Sequence, residues 1–105
     1  MNTSELTGPA LDWAVAKCEW PENPSLKYLE FIMNWDDGNQ QYSTDWAQGG
    51  PIIEREKICV SVAGKYWIGC VYLTGETVTE HAETPLIAAM RVYVASKLGD
   101  EIEVN

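Results

Sequence analysis

The sequence is poor in the residues that build metal centres and disulfide frameworks. It has one histidine, His81, and three cysteines, Cys18, Cys59 and Cys70, with no C-x-x-C pair among them. No metal or other cofactor is expected, because His81 has no partner at ligand spacing, and an odd set of scattered cysteines fits small buried hydrophobes in a reducing compartment. Basic residues are scarce too: seven Lys and Arg face sixteen Asp and Glu, for a net charge of −9. Such a surface repels phosphates, which excludes generic nucleic-acid binding and attraction to an anionic membrane. No apolar run approaches bilayer length, and the opening Met1-Asn2-Thr3-Ser4-Glu5 is acidic where a signal peptide would be basic. A cytoplasmic location is therefore expected.

Complete catalytic motifs are missing as well. There is no Gly-x-Ser-x-Gly elbow to go with Ser61 and His81, and no Gly-x-x-x-x-Gly-Lys loop. The adjacent acids Asp36 and Asp37, and the pair Glu54 and Glu56, read as solvated turn or surface carboxylates rather than an acid and base with separated pKa values. No catalytic residue is expected.

What the chain does contain suits one small globular domain. Its 105 residues are 46% hydrophobic, with five Trp and five Tyr beside a single Phe. A chain of this length buries roughly two-thirds of the surface it exposes when unfolded, enough for a core without disulfides or metal. The acids are dispersed, which reads as a solubilising surface, or as a negative face offered to a basic partner.

Four elements can be placed. Gly8-Pro9, then Leu11, Ala14, Val15 and Cys18, has the spacing of an amphipathic helix halted before Pro21, with Trp13 off the stripe. Leu26 to Trp35 reads as a strand ending in the turn Asp36-Asp37-Gly38-Asn39, with Gln40 to Ser43 starting a return strand. Lys57 to Leu73 reads as a hairpin around Gly64-Lys65. Pairing Ala63 with Tyr66 puts Ile58, Val60, Val62, Trp67, Val71 and Leu73 on a core face, and sets Cys59 opposite Cys70 on the other as a pair of thiols. A three-residue loop would instead send those cysteines to opposite faces. Gly75 to Glu83 reads as a polar connection. Finally, Thr84 as cap, Pro85 at the first position and Ile87, Met90, Val94 and Leu98 define a docking helix that Gly99 ends, widened by Leu86 and Tyr93, with Arg91 and Lys97 toward water.

The candidate site is the tract from Tyr42 to Arg55. Thr44 or Asp45 can cap a single helical turn, and Gly49-Gly50 can reverse the backbone with free amides outward before Pro51. Trp46 then has two readings. It plugs the core, with Asp45 only a cap and the glycines only a turn; or Trp46 or Tyr42 stacks on a flat ligand while Gln48, Arg55 and the Gly49 and Gly50 amides satisfy its polar edges.

Three stretches carry a resemblance: SELTGPALDWAVAK from Ser4 to Lys17, YSTDWAQGGPIIE from Tyr42 to Glu54, and TPLIAAMRVYVASKLGDE from Thr84 to Glu101. Together, and in this order, they resemble the NinX-like proteins of phages and prophages. The resemblance implies a phage-encoded accessory protein made in the bacterial host cytoplasm. It brings no catalytic residues, since the family's molecular role is unknown.

The expected architecture is α+β: a small antiparallel sheet with an N-terminal and a C-terminal helix packed on one face, and the 42–55 loop at one end. The expected function is binding of a host or phage protein through the acidic surface and that loop; the alternative is sequestration of a planar or nucleotide-like metabolite. Free sheet edges would allow a monomer or a homodimer.

Overall fold

A computed structural model describes residues 2–19 and 41–99. The proposed strand from Leu26 to Trp35 and its turn lie outside those residues. A 3-10 turn at Thr3–Glu5 precedes helix α1, Gly8–Glu19; helix α2 runs Trp46–Glu56, strands β1, β2 and β3 run Cys59–Ala63, Tyr66–Leu73 and Glu76–Ala82, and helix α3 runs Pro85–Leu98.

The strands form an antiparallel meander in the order β1-β2-β3. Gly64 and Gly75 adopt φ of 64° and 86° at the two turns, the left-handed conformation that tight hairpins need. The first hairpin has the register read from the sequence: Ala63 pairs with Tyr66, and Cys59 with Cys70. The segment read as a polar connection is instead β3, with Val71 opposite Val78 and Trp67 opposite Ala82. Alternation is present there, but Glu80 sits opposite Gly69 on the inward row and breaks the apolar pattern.

Helix α3 lies against all three strands and takes α1 and α2 on its other sides. It begins and ends as its sequence signals indicate: Thr84 Oγ1 accepts from the Ile87 amide at 3.1 Å, Pro85 occupies the first turn and Gly99 caps at φ 89°. Sandwiched in this way, α3 buries Ala88, Ala89, Met90, Val92, Tyr93, Val94 and Ala95 around its circumference, more than a one-sided stripe. The α+β architecture is the one expected, with α1 stacked on α3. Trp13, placed off the stripe, is buried in the core beside Leu11, Ala14 and Val15, and the Lys17 ammonium lies 5.1 Å over its ring.

Three further expectations change. Val62 and Leu73 share the helix-facing side of the sheet but are 65% and 39% exposed, because they flank the hairpin turns at opposite ends of β2 while α3 covers its middle. Arg91 does not simply point to water: its Nε donates to the Leu6 carbonyl at 2.7 Å and Nη1 to the His81 carbonyl at 2.8 Å, joining the N-terminal turn, β3 and α3. Gln41 to Ser43 do not begin a strand; Tyr42 to Thr44 form a turn leading into α2.

The helix-to-sheet distance rests on Gly69. A Cβ there would stand 2.5 Å from the Ala88 carbonyl oxygen and 2.8 Å from its carbon, backbone atoms that cannot swing aside. At Gly50, by contrast, the nearest atom to a Cβ is 3.9 Å away within helix α2. Gly69→Ala should destabilise the protein by about 1–3 kcal/mol through overpacking, whereas Gly50→Ala should stabilise it by about 0.4–1 kcal/mol through the unfolded chain. Urea-denaturation midpoints of the two variants test the opposite signs.

Candidate functional site

The tract from Tyr42 to Arg55 is mostly helix, not a glycine-hinged loop. Asp45 is the cap: its Oδ1 accepts from the Ala47 amide at 2.9 Å. Gln48 braces this start, with Oε1 accepting from the Gln41 amide at 3.0 Å and Nε2 donating to Asp45 Oδ2 at 3.2 Å. Thr44 is exposed in the preceding turn and does not supply the cap. The Gly49 amide bonds back to the Asp45 carbonyl at 2.9 Å, so it is not displayed for a ligand. Gly49 serves close approach instead, since a Cβ would meet the Tyr42 carbonyl oxygen at 2.4 Å and Leu86 Cδ1 at 2.6 Å. Pro51 lies inside the helix and leaves the carbonyl of exposed Ala47 without its helical donor, a group that water can satisfy.

The turn beneath α2 is pinned from below. Asp12 is fully buried on α1, and its Oδ1 accepts from the Ser43 amide at 2.7 Å. Asp12 Oδ2 and Ser43 Oγ are also fully buried at this contact. Burial pushes the Asp12 carboxyl up to about 6, against the opposing pull of the Ser43 amide. Tyr42 beside it is only 8% exposed and belongs to the core, so it offers no stacking face; burial, then the charges of Glu19 and Asp12, raise its phenol to about 12.

Arg55 is committed elsewhere. It forks onto Glu19 at 3.1 and 2.6 Å, donates to Glu56 at 2.8 Å and to the Tyr93 hydroxyl at 3.1 Å, while Tyr93 donates to Glu19 at 2.6 Å. Lys97 closes the cluster on Glu56 at 3.2 Å. Burial opposes ionisation of Glu19, but the Arg55 and Tyr93 hydrogen bonds hold its carboxyl below the usual range. The cluster locks α1, α2 and α3 together. Trp46 and Arg55 sit in the first and last turns of α2, separated by roughly 14 Å along the helix axis at 1.5 Å per residue. Tyr42, Trp46 and Arg55 therefore do not converge on one concavity.

Trp46 does stand at the surface, 54% exposed. Its indole borders a hollow of about 220 Å³ walled by Ser43, Thr44, Thr84, Pro85 and Ile87. Ile87 also lines a second hollow of about 400 Å³, where it meets Thr7, Tyr66, His81, Glu83 and Arg91. The two depressions thus flank one residue on the first turn of α3, with Trp46 on one side and half-exposed Tyr66 on the other. Pro85 and Ile87 were legible as a helix start and a core stripe; nothing in their spacing says that they form a wall against α2.

Comparison with known proteins bears on this surface. The model of the family described as Bacteriophage P22, NinX matches residues 2–97. The chain belongs to that family. A search of curated proteins finds no match. The description of the NinX family names no activity. Among the described residues no cluster of three His, Cys, Asp or Glu is arranged to hold a metal, and no helix is long and apolar enough to cross a membrane.

The buried Asp12 has a measurable consequence. Its folded pKa near 6 lies above the ordinary value of 3.8, so the folded state binds this proton more tightly than the unfolded chain. The stability it contributes is present below pH 3.8 and is lost as pH rises through about 6. Asp12→Asn, which keeps the acceptor for Ser43 and cannot ionise, should gain stability relative to the native protein across that window and hold a constant advantage above it. Urea midpoints measured at closely spaced pH values check this; a difference that does not change with pH would refute it.

Proposed function

We propose that this phage protein binds another protein, of host or phage origin, and that Trp46 with Pro85 and Ile87 forms the apolar centre of the contact. The supporting observation is the half-exposed Trp46 indole beside a shallow apolar wall, on a helix whose far end is fixed by the Arg55 cluster. An aromatic held on a rigid element loses little entropy on binding, and such residues dominate interface energetics. The net charge of −9 favours a basic partner surface, whose approach it would accelerate at low salt. Glu83 lines the larger hollow and would meet a basic side chain at the rim, while Tyr66 offers a second aromatic beyond Ile87. Thr44, Gln48, Gly49 and Gly50 support Trp46 in this reading, and Arg55 stiffens the helix that carries it.

The metabolite-binding alternative draws on a different place. The hollow beside Arg91, at about 400 Å³, lies within the range of roughly 300–1,000 Å³ of small-molecule sites, and combines Tyr66, His81 and Thr7 with a guanidinium. It requires a planar metabolite that raises the melting temperature of the native protein and fails to do so with Tyr66→Ala.

The protein reading is tested by immobilising the full chain and exposing it to lysate of infected bacteria, with Tyr72→Ala on the opposite sheet face as control. One partner should be retained by the native chain and the control, released by rising salt, and bound about 10–30-fold more weakly by Trp46→Ala and Ile87→Ser, the loss typical of a truncated hot spot. Undiminished binding by both groove variants would overturn the assignment.

A further inference from the structure

The face of the sheet turned away from α3 carries two cysteines in direct register. Cys59 on β1 pairs with Cys70 on β2, and Cys70 pairs in turn with Thr79 on β3. Directly opposed residues project to the same side of a sheet, with Cα atoms about 4.5–5.5 Å apart, inside the window of roughly 4.4–6.8 Å that a disulfide spans. Both thiols are free, Cys59 is exposed and Cys70 is half-buried. Tyr72, two residues along from Cys70 on the same face, is 71% exposed. The Tyr72 phenol is held above its ordinary pKa by hydrogen bonding to Cys70, then by the charges of Cys70 and Cys59, which places the three groups in one neighbourhood. Cys18, in contrast, packs against the core on α1, where burial pushes its thiol up to about 12.

We propose that Cys59 and Cys70 are a reversible dithiol–disulfide site, oxidised by exchange with a small-molecule disulfide of the glutathione class. The accessible Cys59 loses its proton to solvent, and its thiolate attacks one sulfur of glutathione disulfide. A mixed disulfide forms and one glutathione thiolate leaves. Cys70, deprotonated in the same way, attacks the Cys59 sulfur, forming the cross-strand bond and expelling the second glutathione thiolate. The protein is oxidised by two electrons, the glutathione disulfide is reduced to two thiols, and the two protons pass through solvent to the leaving thiolates. Cross-strand bonds between directly paired residues are strained, and strained, exposed disulfides are the readily reduced ones, so the bond should open again in reduced glutathione. Closing it would tie β1 to β2 beneath the exposed Tyr66 and Tyr72 and change the surface that this face presents.

The test uses the full chain in glutathione buffers from fully reduced to fully oxidised, read by thiol titration and by intact and peptide mass. Oxidation should lower the free thiols from the three in the sequence to one, with the bond mapped between Cys59 and Cys70, and excess reduced glutathione should restore all three. Cys18→Ser should form the same bond. Cys59→Ser and Cys70→Ser should form none and should instead hold a glutathione on the remaining member of the pair. The proposal fails if Cys59 and Cys70 each end as a glutathione adduct in the native chain, if the bond involves Cys18 or a second chain, or if it resists reduced glutathione.

Discussion

The close passage of helix α3 over Gly69 sets the geometry of everything above the sheet. Backbone meets backbone there, because Gly69 presents no side chain to the Ala88 carbonyl and α3 offers only Ala88 and Ala89 at the crossing. With α3 seated so low, its outer sides must also be covered, and α1 and α2 supply that cover. The burial of Val92, Tyr93 and Val94 around the helix is the consequence. A second close approach, at Gly49, fits α2 against the Tyr42 turn and Leu86 in the same way.

Two polar devices then fix the outer layer, and they differ in kind. Asp12 is a buried carboxylate holding one backbone amide of the Tyr42–Thr44 turn, so its charge is an expense that the fold tolerates for the sake of position. The Glu19–Arg55–Tyr93 cluster lies nearer water, where geometry rather than burial gives it strength: the guanidinium forks onto Glu19 and the phenol completes the same carboxylate. One device holds the start of α2 and the other its end. Trp46 is left at the rim because the inner side of that turn is already filled by Tyr42, Gly49 and Leu86.

That arrangement separates the candidate residues by role. Tyr42 and Gly49 became core, Asp45 and Gln48 a cap and Arg55 a clamp, while Thr44 and Trp46 stayed exposed beside the smaller hollow. The hollow beside Trp46 is walled by the start of α3, so the proposed contact joins two tracts about forty residues apart in the chain.

Elements governed by local chemistry were legible in the order of the residues alone. Thr84, Pro85 and Gly99 bounded α3, a two-residue loop at Gly64-Lys65 gave the observed register with Cys59 opposite Cys70, the pattern of helices and strands set the α+β class, and the composition set the sign of the net charge. Elements whose local signal was weak or double-edged were not legible in this way. Gly49-Gly50-Pro51 reads as a turn because each residue disfavours a helix interior, yet α2 forms because packing on α3 and the Asp45 cap outweigh those propensities. β3 was hidden by Glu80 on its inward row, and Trp13 looked peripheral until a second layer covered it. Which face of a helix is buried depends on how many neighbours it acquires, and that number is a property of the assembled layers. Only the tertiary structure could decide that Arg55 would be spent on Glu19, nearly the length of α2 away from Trp46, while Ile87 would stand beside the indole.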